Sequence, residues 1–114
     1  MKTTQFTTPT RQPTPFESRV YGLCAQIPLG QVSTYQAIAH ALGCRAYRAV
    51  GQALNKNPYA PKIPCHRVVS STGELGGFAF GLTNKISILE TEGVHIHNGR
   101  ITHFENVVFT QFKA

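Results

Sequence analysis

The chain has 114 residues, enough for one domain with one modest core. Its 41% apolar content is that of a folding sequence, and no run is long and apolar enough to cross a bilayer. Eleven Lys and Arg stand against five Glu with no Asp, a net charge of +6 that draws a small domain towards polyanions, nucleic acid first. Residues 1–15, rich in Thr, Gln and Pro, read as a flexible tail without the apolar centre of a secretory signal, and residues 16–114 as the domain. An intracellular protein is expected, cytoplasmic in a prokaryote and nuclear in a eukaryote.

The first helix begins in "TPFESRVYGLC". Thr14 and Glu17 have capping-box spacing, and Pro15 takes the first helical position, where a missing N–H is harmless. Phe16, Val20, Leu23, Cys24 and Ile27 recur at helical spacing, and Pro28 with Gly30 should stop the helix. A second start follows, with Ser33 and Gln36 as another capping box, Ile38, Ala41 and Leu42 facing inward, and Gly43 closing the segment. A third helix resumes almost at once, expected from Arg45 to Lys56. A short helix, a tight turn and a second helix carrying Arg45, Arg48 and Lys56 have the pattern of a helix-turn-helix. Ala46, Ala49, Gly51 and Ala53 leave that helix thin, suited to close approach to a groove or to a neighbouring helix.

Asn57-Pro58 ends the helical run, and "YAPKIPCHRVV" continues as an extended, proline-punctuated segment. "SSTGELGGFAFG" reads as a glycine-rich loop, and "LTNKISILETEG" as a further helix closed by Gly93. "VHIHNGRITHF" places Asn98-Gly99 between alternating runs, a hairpin signal that puts His95 and His97 on one face opposite Thr102 and Arg100. Such a histidine pair can hold a metal, but the favoured reading is a solvated face, and no metal site is assigned.

Cys24, Cys44 and Cys65 are widely spaced and odd in number, so neither a disulfide framework nor a zinc knuckle is indicated. Cys24 falls on the apolar stripe of the first helix. Cys65 has different company. His66 supplies a base near physiological pH, and Arg67 a fixed positive charge that favours a thiolate. Adjacent side chains point apart, so a bridging water would carry the proton from Cys65 to His66. Glu92, in the last turn of its helix, opposes the macrodipole and is the candidate for orienting the base.

With "TYQAIA", "YRAVGQALNKNP", "IPCHRVV", "GGFAFG" and "LETEG" in this order, the chain from about Phe16 to Gly93 strongly resembles the DNA-binding domain of O6-alkylguanine-DNA alkyltransferases. The resemblance implies a mainly α fold with small β-hairpins and a winged-helix-like helix-turn-helix. It also implies irreversible transfer of an alkyl group from O6-alkylguanine in double-stranded DNA to Cys65, by a monomer without cofactor. Cys65 would be the acceptor, His66 the base acting through water, Glu92 its orienting group and Tyr35 the donor to the leaving guanine. Arg48 would fill the gap left by the flipped nucleotide, with Arg45, Ala46, Ala49 and Gly51 on the DNA. Val68, Phe78, Ala79 and Phe80 would form the pocket, and Asn57 and Arg67 would support it. Lys85 is expected to matter less than Arg48 for capture of the base.

Two departures stand out. Most members carry a further domain before this one, whereas the length here matches alkyltransferase-like lesion sensors, which commonly have tryptophan where Cys65 stands. Tyr47 is also bulkier than the small residue expected beside Arg48. A non-catalytic lesion sensor and a helix-turn-helix regulator with a redox-active cysteine are the rival readings.

Overall fold

The computed structural model describes residues 12–59, 62–75 and 81–113. Helix α1, Pro15–Cys24, opens with the expected capping box: the Glu17 N–H donates to Thr14 Oγ1 at 3.1 Å and the Thr14 N–H to Glu17 Oε1 at 3.0 Å. It ends before Pro28. Ala25 caps it, and Ile27 enters the core from the turn that follows rather than from the helix.

Strand β1, Ser33–Thr34, leads straight into α2, Tyr35–Ala41, and the N-cap differs by one residue from expectation. Thr34 Oγ1 accepts from the Ala37 N–H at 2.9 Å, while Ser33 Oγ donates to the Phe109 carbonyl at 2.6 Å. Ser33 is unavailable as a cap because it pairs in parallel with Val68 of β2, Val68–Val69. On α2, Ile38 and Ala39 are fully buried, with Ala41 and Leu42 only partly so.

Helix α3, Tyr47–Asn55, packs against both α1 and α2, giving the helix-turn-helix. Arg45 and Ala46 precede the helix instead of riding on it, Ala46 standing at its N-cap without a side-chain bond. Beyond it, Cys65–Arg67 form one turn of 3-10 helix where an extended segment is expected. Helix α4, Leu82–Thr91, follows, and Gly93 adopts the positive φ that reverses the chain past its end. Strands β3, Ile96–His97, and β4, Arg100–Ile101, pair antiparallel across Asn98-Gly99, both at positive φ. His97 faces Arg100 in register, and the Thr102 N–H donates to the His95 carbonyl.

A short helix α5, Phe104–Val107, then returns the chain to β1, where the Val32 N–H donates to the Val107 carbonyl and the Val32 carbonyl accepts from the Phe109 N–H. Two apolar clusters result. One joins α1, α2, α3, Cys65 and Val68; the other joins Val32, Val69, Leu75, Leu89, Val94 and Ile101. The β1–β2 ladder is the seam between them, and the Cys65 turn leads directly into it. No helix among the described residues is long and apolar enough to cross a membrane.

Candidate active site

The turn carrying Cys65 is fixed from several directions. The Cys65 N–H donates to the Ile63 carbonyl at 2.8 Å, the Arg67 N–H to Pro64 at 2.9 Å, and the Val68 N–H to the Cys65 carbonyl. Asn57, just past α3, donates from Nδ2 to the Ile63 carbonyl at 2.9 Å and accepts from the Tyr59 N–H, so it ties the helix-turn-helix to the cysteine segment. Cys65 is buried at 5% exposure, and Tyr35 packs on the same cluster from the start of α2. Burial, with the neighbouring Cys65 and Cys24, pushes the Tyr35 hydroxyl above its ordinary value. Burial likewise pushes the Cys24 thiol far up, which keeps it protonated and inert.

His66 and Glu92 meet, as do Arg67 and Glu92. His66 Nε2 lies 2.9 Å from Glu92 Oε2, and Arg67 grips the same carboxylate with Nε and Nη2, each at 2.9 Å. The third arm, Arg67 Nη1, donates to the Ile27 carbonyl at 2.8 Å, joining the turn after α1 to the site. Arg67 is thus turned towards Glu92, which neutralises the charge that sequence reasoning offered to the thiolate. Glu92 stands at the C-cap of α4, where a carboxylate is disfavoured unless something opposes the dipole, and Arg67 does so. Burial alone would raise Glu92, but the hydrogen bonds and charges of Arg67 and His66 together hold it below the usual carboxylate range.

Burial lowers His66 below its ordinary value, outweighing the carboxylate, with Arg67 and Lys85 adding to the depression. His66 is therefore neutral near pH 7. Because an ionised carboxylate only accepts, Nε2 must carry the proton, and Nδ1 keeps the lone pair. The arrangement is a buried thiol followed in the same turn by an imidazole whose Nε2 carries the proton and whose Nδ1 is left as an acceptor.

On the adjoining face, a cleft of about 690 Å³ is lined by Tyr35, Arg45, Ala46, Tyr47, Arg48, Gly51, Gln52 and Asn55. Arg45 and Arg48 are exposed, and Gly51 faces the Tyr35 ring, which a Cβ there would meet at an ordinary contact distance of 3.8 Å. Ala49 is half-buried on the same helix. Tyr47 Oη lies 3.4 Å from His40 Nε2, and the residue is 39% exposed beside Arg48. Val68 is fully buried in β2. Phe78, Ala79 and Phe80 lie outside the described residues. Among the described residues, no three His, Cys, Asp or Glu side chains gather as metal ligands.

The family model described as 6-O-methylguanine DNA methyltransferase, DNA binding domain, matches residues 15–94. The chain belongs to this family. A methylated-DNA–protein-cysteine methyltransferase of Methanosarcina barkeri is 49% identical over 80 residues, covering 69% of this chain and 51% of that protein. The Mycobacterium tuberculosis OGT structure in complex with DNA superposes with a TM-score of 0.69 at 38% identity, over 72% of this chain and 51% of that one. S. pombe Atl1, solved with damaged DNA containing O6-carboxymethylguanine, superposes at 0.75 with 30% identity, over 87% of this chain and 98% of that one. The chain thus spans about half the length of the methyltransferases and nearly all of Atl1. The fold of the family's DNA-binding domain, mostly helical with small strands, is the fold found here.

Sequence reasoning missed one residue of this site. Lys85, on the inward side of α4, is fully buried, and its Nζ donates to the carbonyls of Val68 at 2.8 Å and Leu75 at 2.6 Å. A lysine four residues before the buried Leu89 occupies the helix's inward stripe, and that spacing was the available signal.

Proposed function

We propose that this protein repairs DNA by irreversible transfer of an alkyl group from O6-alkylguanine to Cys65. The observation that carries the reading is the buried thiol in one turn with a neutral His66 whose tautomer is set by Glu92 and Arg67. A structural cysteine has no use for an oriented base.

In the reaction, Cys65 gives its proton through a bridging water to His66 Nδ1, and the Glu92 carboxylate stabilises the imidazolium that forms. The sulfur attacks the alkyl carbon in line; the S–C bond forms as the bond to O6 breaks. Guanine leaves with the electron pair, and the Tyr35 hydroxyl donates to its ring as negative charge develops. The thioether is stable, so each molecule acts once. Double-stranded DNA lies against the cleft below α3, with Arg45, Ala46, Ala49 and Gly51 along the minor groove and Arg48 filling the space of the extruded nucleotide. Backbone around Val68 reads the base edge. The protein acts as a monomer without cofactor.

The similarity to Atl1 over 87% of the chain supports a second reading, a sensor that binds O6-alkylguanine and recruits another pathway. Cys65 favours transfer. Incubation with a duplex carrying O6-[³H-methyl]guanine separates them: label moves to protein under the first reading, and tight lesion binding leaves it on DNA under the second.

A further inference from the structure

Lys85 heads the largest fully buried side chains among the described residues, and the chemistry described so far gives it no part. Burying an ammonium costs several kcal/mol even after relaxation. One turn later Leu89 fills the same face of α4 with an apolar side chain, so packing alone favours a residue of that kind at position 85. The charge is retained where packing disfavours it.

Its surroundings indicate why. Lys85 Nζ donates to the Val68 carbonyl, and the Val68 N–H donates to the Cys65 carbonyl, so two hydrogen bonds through one residue connect the ammonium to the turn of the proposed acceptor. The second bond, to Leu75, closes the segment 68–75 upon itself. The charged and titratable groups about the turn are Cys65 and His66 within it, Cys24 on α1, Tyr35 on α2, and the Arg67–Glu92 pair. Glu92 neutralises Arg67. Burial brings Lys85 down to about 8, and the Cys65 charge opposes that fall.

We propose that Lys85 is a positioning residue for alkyl transfer: its ammonium holds Val68 and the Cys65 turn in place and supplies, from the core side, positive charge that favours the thiolate. The inference rests on Cys65 being the acceptor. Lys85 keeps its proton throughout; the thiol proton goes to His66.

The test needs no DNA. Cys65 carboxamidomethylation by iodoacetamide is followed by peptide mass mapping from pH 6 to 10 in the parent, Lys85→Gln and Lys85→Met. Glutamine retains an N–H donor and loses the charge, so it separates holding the backbone from stabilising the thiolate. In Lys85→Gln the reaction at neutral pH should slow about tenfold and recover as pH rises. A rate equal to the parent's across the range overturns the electrostatic role. Linkage supplies a second measurement on folded protein should both variants fail to fold. Replacing the sulfur in Cys65→Ser must lower the pH at which Lys85 titrates, read by NMR of its ε-methylene. An unchanged Lys85 titration refutes the coupling. If the parent transfers no alkyl group while Lys85→Gln slows carboxamidomethylation, the transfer reading fails and the Lys85 role stands; the reverse pattern rejects Lys85 alone.

Discussion

Replacing Glu92 by Gln changes one oxygen to an amide nitrogen and removes one charge, with little change of shape. In the parent the two carboxylate oxygens accept three bonds, from His66 Nε2, Arg67 Nε and Arg67 Nη2. A glutamine has a single acceptor oxygen, so at least one of those N–H groups faces an NH₂ donor. If the oxygen stays with His66, the imidazolium loses a charge-assisted bond and gains a neutral one, a difference of about 1–2 kcal/mol. That slows proton removal about 5- to 30-fold at neutral pH, since each 1.4 kcal/mol is about tenfold. The displaced Arg67 bond costs about 1–2 kcal/mol of stability after screening by nearby solvent, or several degrees in Tm. Single-turnover transfer from an O6-methylguanine duplex gives the rate, and binding isotherms give affinity and its salt dependence. The rate should fall and recover partly at alkaline pH, where hydroxide does some of the deprotonation. The salt slope should stay put, because phosphate contacts lie on the α3 face. Transfer at the parental rate at every pH would reduce Glu92 to an anchor for Arg67 and refute the relay.

Arg48→Ala should weaken capture of the lesion in a matched duplex more than in a mismatch, where extrusion is easier; equal losses, measured by fluorescence anisotropy, would make Arg48 a phosphate contact instead. Cys24→Ala and Cys44→Ala should transfer normally, since burial holds the Cys24 thiol protonated; a loss of label in either would displace Cys65 as sole acceptor. Folded Lys85 titrates at about 8 against an ordinary 10.5, so between these values the unfolded chain holds a proton that the folded chain has released. Stability from Lys85 therefore rises with pH across that window, by about 3 kcal/mol. Denaturation of parent and Lys85→Gln at pH 8 and 10 should show the parent gaining on the variant, and parallel curves would deny the depressed titration.

Features written in neighbouring residues were legible. The Thr14–Glu17 box and the Asn98-Gly99 turn each need only local geometry, and both form as read. The cap at Ser33 was misplaced because a parallel partner far along the chain claims that residue, and two-residue strands leave no periodicity to read. The return of Val108 and Phe109 to Val32 was equally silent, being long-range. Glu92 announced itself by opposing its helix dipole, but Arg67 looked like a partner of the thiolate until the fold turned it to the carboxylate. Lys85 escaped notice because lysine is almost never fully buried, so its composition signalled solvent where its spacing signalled core.

Intact mass after incubation with an excess of duplex carrying O6-methylguanine tests the transfer directly. The account predicts a gain of one methyl group per chain and no more, mapped to the peptide containing Cys65, with Cys65→Ala unlabelled but still bound to the lesion. Tight binding of the lesion by the parent without any gain in mass, or a methyl group found on another residue, would contradict it.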